Sequence, residues 1–265
     1  MPLRVTLVQA GLHWQDPEGN RRAFGATLGT LAAGATDLVV LPEMFTTGFD
    51  VAAGAPAEAA NGPTLAWMRD WSRRLDAAVV GSVMTRDGAH RVNRLWFVTP
   101  DGGAQPYDKR HLFRMAGEHE HFTAGGAPLL AEFRGWKIAP LICYDLRFPV
   151  WSRRRPGYDY DLLLYVANWP ARRAYAWRQL LIARAIENQA YVVGVNRIGP
   201  DGNGIAHQGD SAAHDFLGQP LATLGDSSAV AAVSLPESAL TEFRARFPAH
   251  LDADRFELAD LGAPR

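Results

Sequence analysis

The sequence predicts an α/β fold in which mixed β-sheets carry helices on their outer faces. Apolar, β-branched runs alternate with helical patterns in the first third of the chain, which is typical of strand–helix–strand units. Hairpin signals then replace the helices, so the sheets are expected to be mixed rather than purely parallel. The chain has 265 residues, of which 48% are hydrophobic, and this is enough apolar surface for one large core.

The first part of the chain contains alternating predicted strands and helices. Asp16 is a suitable cap for the first helix because Pro17 follows it at the first helical position. The Gly62-Pro63 pair marks the start of the second helix in the same way. In chain order we predict a strand at 4–9, a helix from 17 to about 33, a strand at 37–41, a helix after 62 and a strand at 77–83.

The second part of the chain begins with a hairpin whose turn is at 101–103. The further predicted elements are a hairpin of strands 129–133 and 136–142, a strand at 162–166, a helix at 172–188, strands at 191–196, 209–216, 220–224 and 229–235, and a helix at 237–247. No linker, repeat or low-complexity segment interrupts this pattern. We therefore expect a single domain over 1–265, with 248–265 as a C-terminal tail that docks on the body or at a subunit interface.

Composition limits the classes of partner. The chain carries 27 basic and 28 acidic residues and has no long basic run, so neither a nucleic acid nor an anionic membrane surface is expected as a partner. The sequence has no run of about 18 apolar residues that would predict a membrane span, and its N-terminus lacks a secretion-signal pattern. We expect a cytoplasmic protein that acts on a small molecule.

Three chemically useful residues stand where an apolar strand meets a loop. Glu43 follows the strand at 37–41, Lys109 follows the hairpin strand that ends at 108, and Cys143 follows the strand at 136–142. Loops at strand ends converge over a rigid base, so these side chains are expected to meet. A cysteine attacks an amide as its thiolate; Glu43 can take the thiol proton, and Lys109 can stabilise the developing oxyanion.

A structural interpretation of the same residues stays open at this point. Cys143 is the only cysteine in the chain, and a single cysteine after an apolar strand is more often a core residue than a nucleophile. Glu43 and Lys109 could form a surface ion pair worth under about 1 kcal/mol. Composition and spacing do not choose between the two interpretations.

Three motifs in order resemble the nitrilase, or carbon–nitrogen hydrolase, superfamily. They are LPEMF at 41–45, YDKRHL at 107–112 and CYDLRFP at 143–149, and the resemblance extends from residue 5 to about 235. It implies an α-β-β-α sandwich, a homodimer or higher homo-oligomer, and a catalytic triad that maps onto Glu43, Lys109 and Cys143. It also implies a supporting glutamate after the lysine motif; Glu118 is the best match and Glu120 is the alternative.

Within the superfamily, MFTTGF at 44–49, CYD at 143–145 and ANWP at 167–170 are similar to the omega-amidase branch. This implies hydrolysis of the terminal amide of dicarboxylic acid monoamides, such as 2-oxoglutaramate and succinamate. Arg147 is a candidate for the far carboxylate, with a buried pair to Asp145 or Asp161 as the alternative. Arg172 and Arg173 are weaker candidates. The other predicted substrate-binding residues are Asn168 and an apolar wall of Phe45, Tyr144 and Trp169.

Other functions remain as alternatives. The same chemistry could serve an N-carbamoyl amino acid or another small aliphatic amide, and a non-enzymatic thiol sensor would lack a resolving cysteine. His111, His119 and His121 lie near acidic residues, but without a His-Glu-x-x-His pattern we expect no metal site and no cofactor. The glycine-rich segment 199–204 is predicted to be a tight surface loop rather than a phosphate-binding loop.

Overall fold

The computed structural model describes residues 1–52 and 54–258, and most of the predicted strands are present there. The short strands at 58–59, 198–200 and 206–208 were not predicted, and the strands predicted at 129–133 and 209–216 are shorter. The strands are β1 (Leu3–Gln9), β2 (Leu38–Val40), β3 (Glu58–Ala59), β4 (Ala78–Asp87), β5 (His90–Val98), β6 (Ala104–Asp108), β7 (Ala131–Phe133), β8 (Trp136–Ile142), β9 (Leu162–Ala167), β10 (Tyr191–Asn196), β11 (Ile198–Pro200), β12 (Ala206–Gln208), β13 (Ala212–His214), β14 (Pro220–Thr223) and β15 (Ala229–Leu235).

The helices are α1 (Pro17–Leu28), α2 (Pro63–Leu75), α3 (Glu118–His121), α4 (Pro149–Ser152), α5 (Ala174–Asn188) and α6 (Glu237–Arg246). The Asp16 side chain accepts a hydrogen bond from the N–H of Gly19 at 2.8 Å, which confirms it as the cap of α1. This helix ends at Leu28, earlier than predicted, and Gly29 is its C-cap residue. A 3₁₀ turn at Ala171–Arg173 precedes α5, so that helix begins two residues late.

Two large mixed sheets form the centre of the molecule. One has the strand order β15-β1-β2-β4-β5-β6, with β3 also paired to β4, and the other has the order β14-β13-β10-β9-β8-β7. Strands β1, β2 and β4 are parallel neighbours, as are β8, β9 and β10, whereas hairpins extend both sheets with antiparallel pairs. The predicted mixed α/β architecture is confirmed.

The core has layers that give each sheet a helical cover. Residues Val5 and Val40 of the first sheet share one apolar cluster with Leu141 and Leu164 of the second, so the sheets pack face to face. The outer face of the first sheet packs on α1 and α2, and α5 covers the second through Trp177. The layers are therefore helix, sheet, sheet and helix.

The segment 199–204 contains the predicted tight surface loop, at 201–204, but the residues that flank this loop are strands, which were not predicted. The loop forms the turn of a hairpin in which β11 and β12 pair antiparallel as a separate two-stranded sheet. The C-terminal tail is described only as far as 258, where Leu258 packs against the main core, and 259–265 lie outside the described residues. No helix in the described ranges is long and apolar enough to cross a bilayer.

Candidate active site

Three strand ends meet between the two sheets. Glu43 lies three residues after β2, Lys109 directly follows β6, and Cys143 directly follows β8. The three side chains belong to residues that are at most 8% exposed. The two sheets therefore bring together the residues that the sequence places at separate strand ends.

Lys109 is the centre of a buried ion cluster. Its Nζ donates to Glu43 Oε1 at 2.8 Å and to the two carboxylate oxygens of Glu118 at 3.1 and 2.9 Å. All three side chains are 0% exposed, so the surface-pair interpretation of Glu43 and Lys109 is wrong. Glu120, by contrast, points outward with 65% of its side chain exposed. The geometry favours Glu118 over Glu120 as the supporting carboxylate.

Two asparagines hold the Glu43 carboxylate in place. The Nδ2 of Asn93 donates to Glu43 Oε1 at 2.8 Å, and the backbone N–H of Asn168 donates to Oε2 at 2.8 Å. The Asn168 side chain also donates to the Glu43 carbonyl. Sequence reasoning did not identify Asn93, because it lies among the polar residues of β5 and its full burial is visible only in the folded chain.

Cys143 begins a tight 3₁₀ turn, Cys143–Arg147, in an uncommon backbone conformation. Its φ is 42°, a left-handed value that residues with a Cβ rarely adopt. Burial raises the pKa of the thiol well above its ordinary value, and the Glu43 charge raises it further, while Lys109 opposes the shift. The resting thiol is therefore protonated, and a thiolate forms only when a base accepts its proton.

The cluster contains two carboxylates for one ammonium. Burial by itself would lower the pKa of Lys109, but Glu118 and Glu43 raise it above its ordinary value. Burial also raises the pKa of Glu118, and the nearby Glu43 charge adds to this effect against the attraction of Lys109. Lys109 thus remains an ammonium, which is the form that can stabilise an oxyanion.

A cavity of about 240 Å³ opens onto Cys143 and Lys109. This volume suits a small molecule of a few carbon atoms. Aromatic and positively charged side chains dominate its lining. The lining residues are Phe49, Val51, Lys109, Phe113, Met115, Ala116, Cys143, Tyr144, Arg147, Asn168, Trp169, Pro170, Arg172, Arg173, Asp201, Asn203, Ile205 and His207.

Arg147 faces this cavity rather than a buried carboxylate. Its guanidinium lies over the Trp169 ring at 5.0 Å from the centroid. Asp145 is hydrogen-bonded to Tyr107 and His111 instead, and Asp161 pairs with Arg244 at 2.7 Å. The alternative of a structural pair for Arg147 is therefore wrong.

One member of the predicted apolar wall is elsewhere. Phe45 is 0% exposed and packs edge-on against Phe24 of α1, in the core between the first sheet and its helices. It cannot contact a molecule in the cavity, so its assignment to the wall is corrected. Phe49 and Phe113, which sequence reasoning did not identify, line the cavity instead; Tyr144 and Trp169 line it as expected.

The β11–β12 hairpin closes one side of the cavity. Asp201, Asn203, Ile205 and His207 all belong to this hairpin or its turn. Burial, with the charge of Arg197, lowers the pKa of His207 to about 4, so its ring is neutral near pH 7. Sequence reasoning missed this wall because a glycine-rich segment does not reveal where it folds back.

The described residues contain no group of three or more His, Cys, Asp or Glu side chains that could hold a metal ion. His111 contacts Asp145 through Nδ1 at 2.8 Å, and His119 lies 4.0 Å from Glu120. A larger cavity, of about 680 Å³, lies against the C-terminal segment and includes none of Glu43, Lys109 and Cys143.

Comparison with known proteins gives matches over most of the chain. The carbon-nitrogen hydrolase family profile matches residues 4–245. "Omega-amidase YafV" of Yersinia enterocolitica is 51% identical over 260 residues, which are 97% of this chain and 98% of that protein. "2-oxoglutaramate amidase" of Bacillus subtilis (strain 168) is 35% identical over 210 residues, or 77% of this chain and 80% of that protein.

Among solved structures, XC1258 from Xanthomonas campestris is similar throughout. Its crystal structure is described as a CN-hydrolase superfamily protein with an arsenic adduct in the active site. The TM-score is 0.95 at 52% sequence identity, and the match covers 98% of this chain and 100% of that one. The helix–sheet–sheet–helix layers described above are therefore shared with that protein.

Proposed function

The chain belongs to the carbon–nitrogen hydrolase family and is an amidohydrolase, and on this premise we propose that it is an omega-amidase. It hydrolyses the terminal amide of dicarboxylic acid monoamides, such as succinamate and 2-oxoglutaramate, to the acid and ammonia. The names of the relatives in Yersinia enterocolitica and Bacillus subtilis support both the reaction and the substrate class.

The observation that carries this proposal is the distribution of charge along one small cavity. Cys143 and Lys109 line it, and so do the guanidinium groups of Arg147 and Arg173. In the described part of the chain neither guanidinium pairs with an acidic side chain; each lies over an aromatic ring at 5.0 Å. A substrate with an amide at one end and a carboxylate at the other supplies the missing negative charge.

The first half of the reaction transfers the acyl group to Cys143. Its sulfur forms a bond to the amide carbon while the thiol proton moves to Glu43. Lys109 Nζ and the backbone N–H of Tyr144 stabilise the oxyanion. The carbon–nitrogen bond then breaks, the nitrogen takes the proton from Glu43 and ammonia leaves. A thioester between the acyl group and Cys143 remains.

The second half of the reaction releases the acid. Glu43 takes a proton from a water molecule, whose oxygen attacks the thioester carbon. The carbon–sulfur bond breaks, and the proton returns from Glu43 to the sulfur. Glu118 holds Lys109 in place through both halves, which is consistent with its two contacts to the ammonium.

The test is a comparison of ammonia release from succinamate, 2-oxoglutaramate, propionamide and an N-carbamoyl amino acid. We expect kcat/KM to be about 10- to 10²-fold higher for the two monoamides, because charge-assisted hydrogen bonds contribute about 1.5–3 kcal/mol. Cys143→Ala should release no ammonia above background, and the acyl adduct on Cys143 should be visible by mass spectrometry. Equal or better turnover of propionamide or the N-carbamoyl amino acid would overturn the substrate assignment.

A second variant tests the carboxylate contact. Arg147→Met should raise KM for succinamate about 10²-fold and change KM for propionamide little, because propionamide has no far carboxylate. Arg22→Met is the matched control, since Arg22 is an exposed helix residue that pairs with Glu18. A similar rise of KM for both substrates would contradict the proposed contact.

We also propose a homodimer or higher homo-oligomer. Large apolar side chains that are at least half exposed gather on the wall of the 680 Å³ cavity: Ile186, Leu217, Phe247 and Leu251. Exposed apolar residues that are grouped in one patch, rather than scattered singly over the surface, are typical of an interface. Phe247→Asp should lower the molar mass measured by light scattering. An unchanged mass would contradict this interface.

The cytoplasmic location of the protein stays a prediction.

A further inference from the structure

Asp145 is a buried carboxylate that the reaction described above does not use. It lies two residues after Cys143 and is 0% exposed. Its Oδ2 accepts hydrogen bonds from the N–H of Ile142 at 3.0 Å and from the hydroxyl of Tyr107 at 2.7 Å. Its Oδ1 accepts from the N–H of His111 at 2.9 Å and contacts His111 Nδ1 at 2.8 Å. Four polar contacts converge on this one carboxylate.

The partners of Asp145 come from two separate segments. Tyr107 and His111 stand two residues before and two residues after Lys109. Ile142 directly precedes Cys143. Since the same carboxylate binds both flanks of the lysine segment and the start of the cysteine turn, it joins the two segments at the point where their functional side chains meet.

The Tyr107 side of this junction has a defined direction. Trp151 Nε1 donates to the Tyr107 oxygen at 2.9 Å, and because an indole N–H can only donate, the tyrosine proton is directed to Asp145. Burial and the Asp145 charge raise the pKa of Tyr107 well above its ordinary value. The phenol therefore remains a donor over the pH range of an enzyme assay.

The His111 side of the junction is held by aromatic packing. The imidazole stacks on Phe148 with a centroid distance of 3.8 Å and an interplanar angle of 6°. Its edge also faces Trp151 at 6.1 Å. The ring is thus held in the orientation that presents Nδ1 to Asp145, and Phe148 belongs to the segment that follows the cysteine turn.

The cysteine turn needs such an anchor. Cys143 has a φ of 42°, which is sparsely populated for a residue with a side chain and persists only when surrounding contacts hold it. The hydrogen bond from Ile142 to Asp145 spans this strained residue and closes the turn from the third position, as the carboxylate of a capping box does.

We propose that Asp145 is a positioning residue that fixes the Cys143 turn against the Lys109 segment, so that thiol and ammonium meet at one substrate carbonyl. This inference rests on the proposed roles of Cys143 and Lys109. Asp145 touches neither the substrate nor the reacting atoms and acts only through its neighbours. A misplacement of about 1 Å costs up to about 10²-fold in rate, so the effect is expected in kcat rather than in substrate binding.

Asp145→Asn is the direct test. The amide N–H₂ of the asparagine would face one of the groups that now donate to Asp145, and that hydrogen bond would be lost. We expect kcat for succinamate to fall about 10²-fold while KM changes less than about threefold. Asp37→Asn is the matched control: Asp37 is also buried and multiply hydrogen-bonded, but by Arg4 and Arg134 at the other end of β2. Rates are referred to the concentration of folded enzyme, measured by circular dichroism.

His111 offers a second test that does not remove the carboxylate. His111→Phe keeps an aromatic ring on Phe148 and removes Nδ1, whereas His111→Asn retains an amide donor near the Nδ1 position. We expect the phenylalanine variant to lose about tenfold in kcat and the asparagine variant to recover most of that loss. If His111 had only a structural role, kcat would not depend on whether the substituted side chain can donate a hydrogen bond. The two His111 variants also test the positioning role of Asp145 if Asp145→Asn does not fold.

The outcomes separate this inference from the proposed function. If Cys143→Ala keeps its amidase activity, the proposed role of Cys143 as the nucleophile fails, and the inference that rests on it fails too. If Cys143→Ala is inactive but Asp145→Asn has the kcat of the wild type per folded molecule, only the positioning role is overturned. Equal kcat values for the two His111 variants would overturn it too.

Discussion

Strand β2 has a buried carboxylate near each end, and the two carboxylates differ in the charged side chains that contact them. Asp37 directly precedes the strand and accepts hydrogen bonds from the guanidinium of Arg4, at 2.9 and 2.8 Å, and from Arg134. Glu43 follows the strand and shares one ammonium, that of Lys109, with a second carboxylate. At the first end two guanidinium groups surround one buried carboxylate, and Arg134 also pairs with the exposed Asp76; at the second end two buried carboxylates share one cation.

A buried carboxylate can serve stability or chemistry, depending on the charges around it. Burial by itself would raise the pKa of Asp37, but its hydrogen bonds to Arg4 and Arg134 lower it to about 2, so the ionised form favours folding. In the other cluster burial and Glu43 raise the pKa of Glu118. A buried cluster with unbalanced charge contributes little to stability, and its retention is best explained by the reaction.

The largest effect is expected when the only cation of the central cluster is removed. Lys109→Met leaves Glu43 and Glu118 buried without a counter-ion, which costs about 3–5 kcal/mol of unfolding free energy. Loss of the oxyanion donor should lower kcat at least about 10²-fold. Urea unfolding and ammonia release measure the two effects. An unchanged unfolding free energy in Lys109→Met would show that water reaches the carboxylates of the cluster.

A charge-only change at Glu118 sharpens the contrast. Glu118→Gln should lower kcat about 10²-fold because Lys109 loses the contacts that orient it. The unfolding free energy should change by less than about 1 kcal/mol, since the substitution relieves repulsion between two carboxylates while weakening one ion pair. Glu120→Gln is the matched control and should keep both kcat and stability, because Glu120 is exposed. A large loss of stability in Glu118→Gln would contradict the excess of negative charge.

The smallest expected effect on catalysis is at the other end of β2. Asp37→Asn should lower the unfolding free energy by about 2 kcal/mol at pH 7, because the folded-state pKa of Asp37 is about 2 against an ordinary 3.8. A depressed pKa stabilises the fold above the ordinary value and loses this effect as pH falls. The difference from wild type should therefore shrink between about pH 4 and pH 2, while kcat at neutral pH stays unchanged.

Local sequence patterns predicted the elements well where a strand is apolar along its length. The strand Tyr191–Asn196 has the predicted bounds, and the cap at Asp16 is confirmed. Errors fall at helix ends and at the short strands β11 and β12, which have three residues each and are too short to show an alternating pattern.

For the site, the motif residues Glu43, Lys109 and Cys143 lie close together with Glu118 in the buried region between the sheets, whereas the substrate wall differs from the prediction. Phe45 adjoins the LPE motif in sequence, yet its side chain points to the helix layer, whereas Phe49 faces the cavity. Which face an aromatic residue takes after a strand depends on the turn, and here residues 43–47 form a turn with Met44 at a φ of 41°. No spacing rule anticipates that conformation.

The sequence by itself determined the chemistry available to this protein: a single thiol, a carboxylate and an amine, each at the end of an apolar strand and within a recognisable motif. Only the tertiary structure decided their relation. It stacked two sheets so that three strand ends meet, brought in Asn93 and Asn168 to orient Glu43, and excluded water from the ion cluster. The physical reason is that strand periodicity is local, whereas distance, burial and charge balance arise when remote segments pack together.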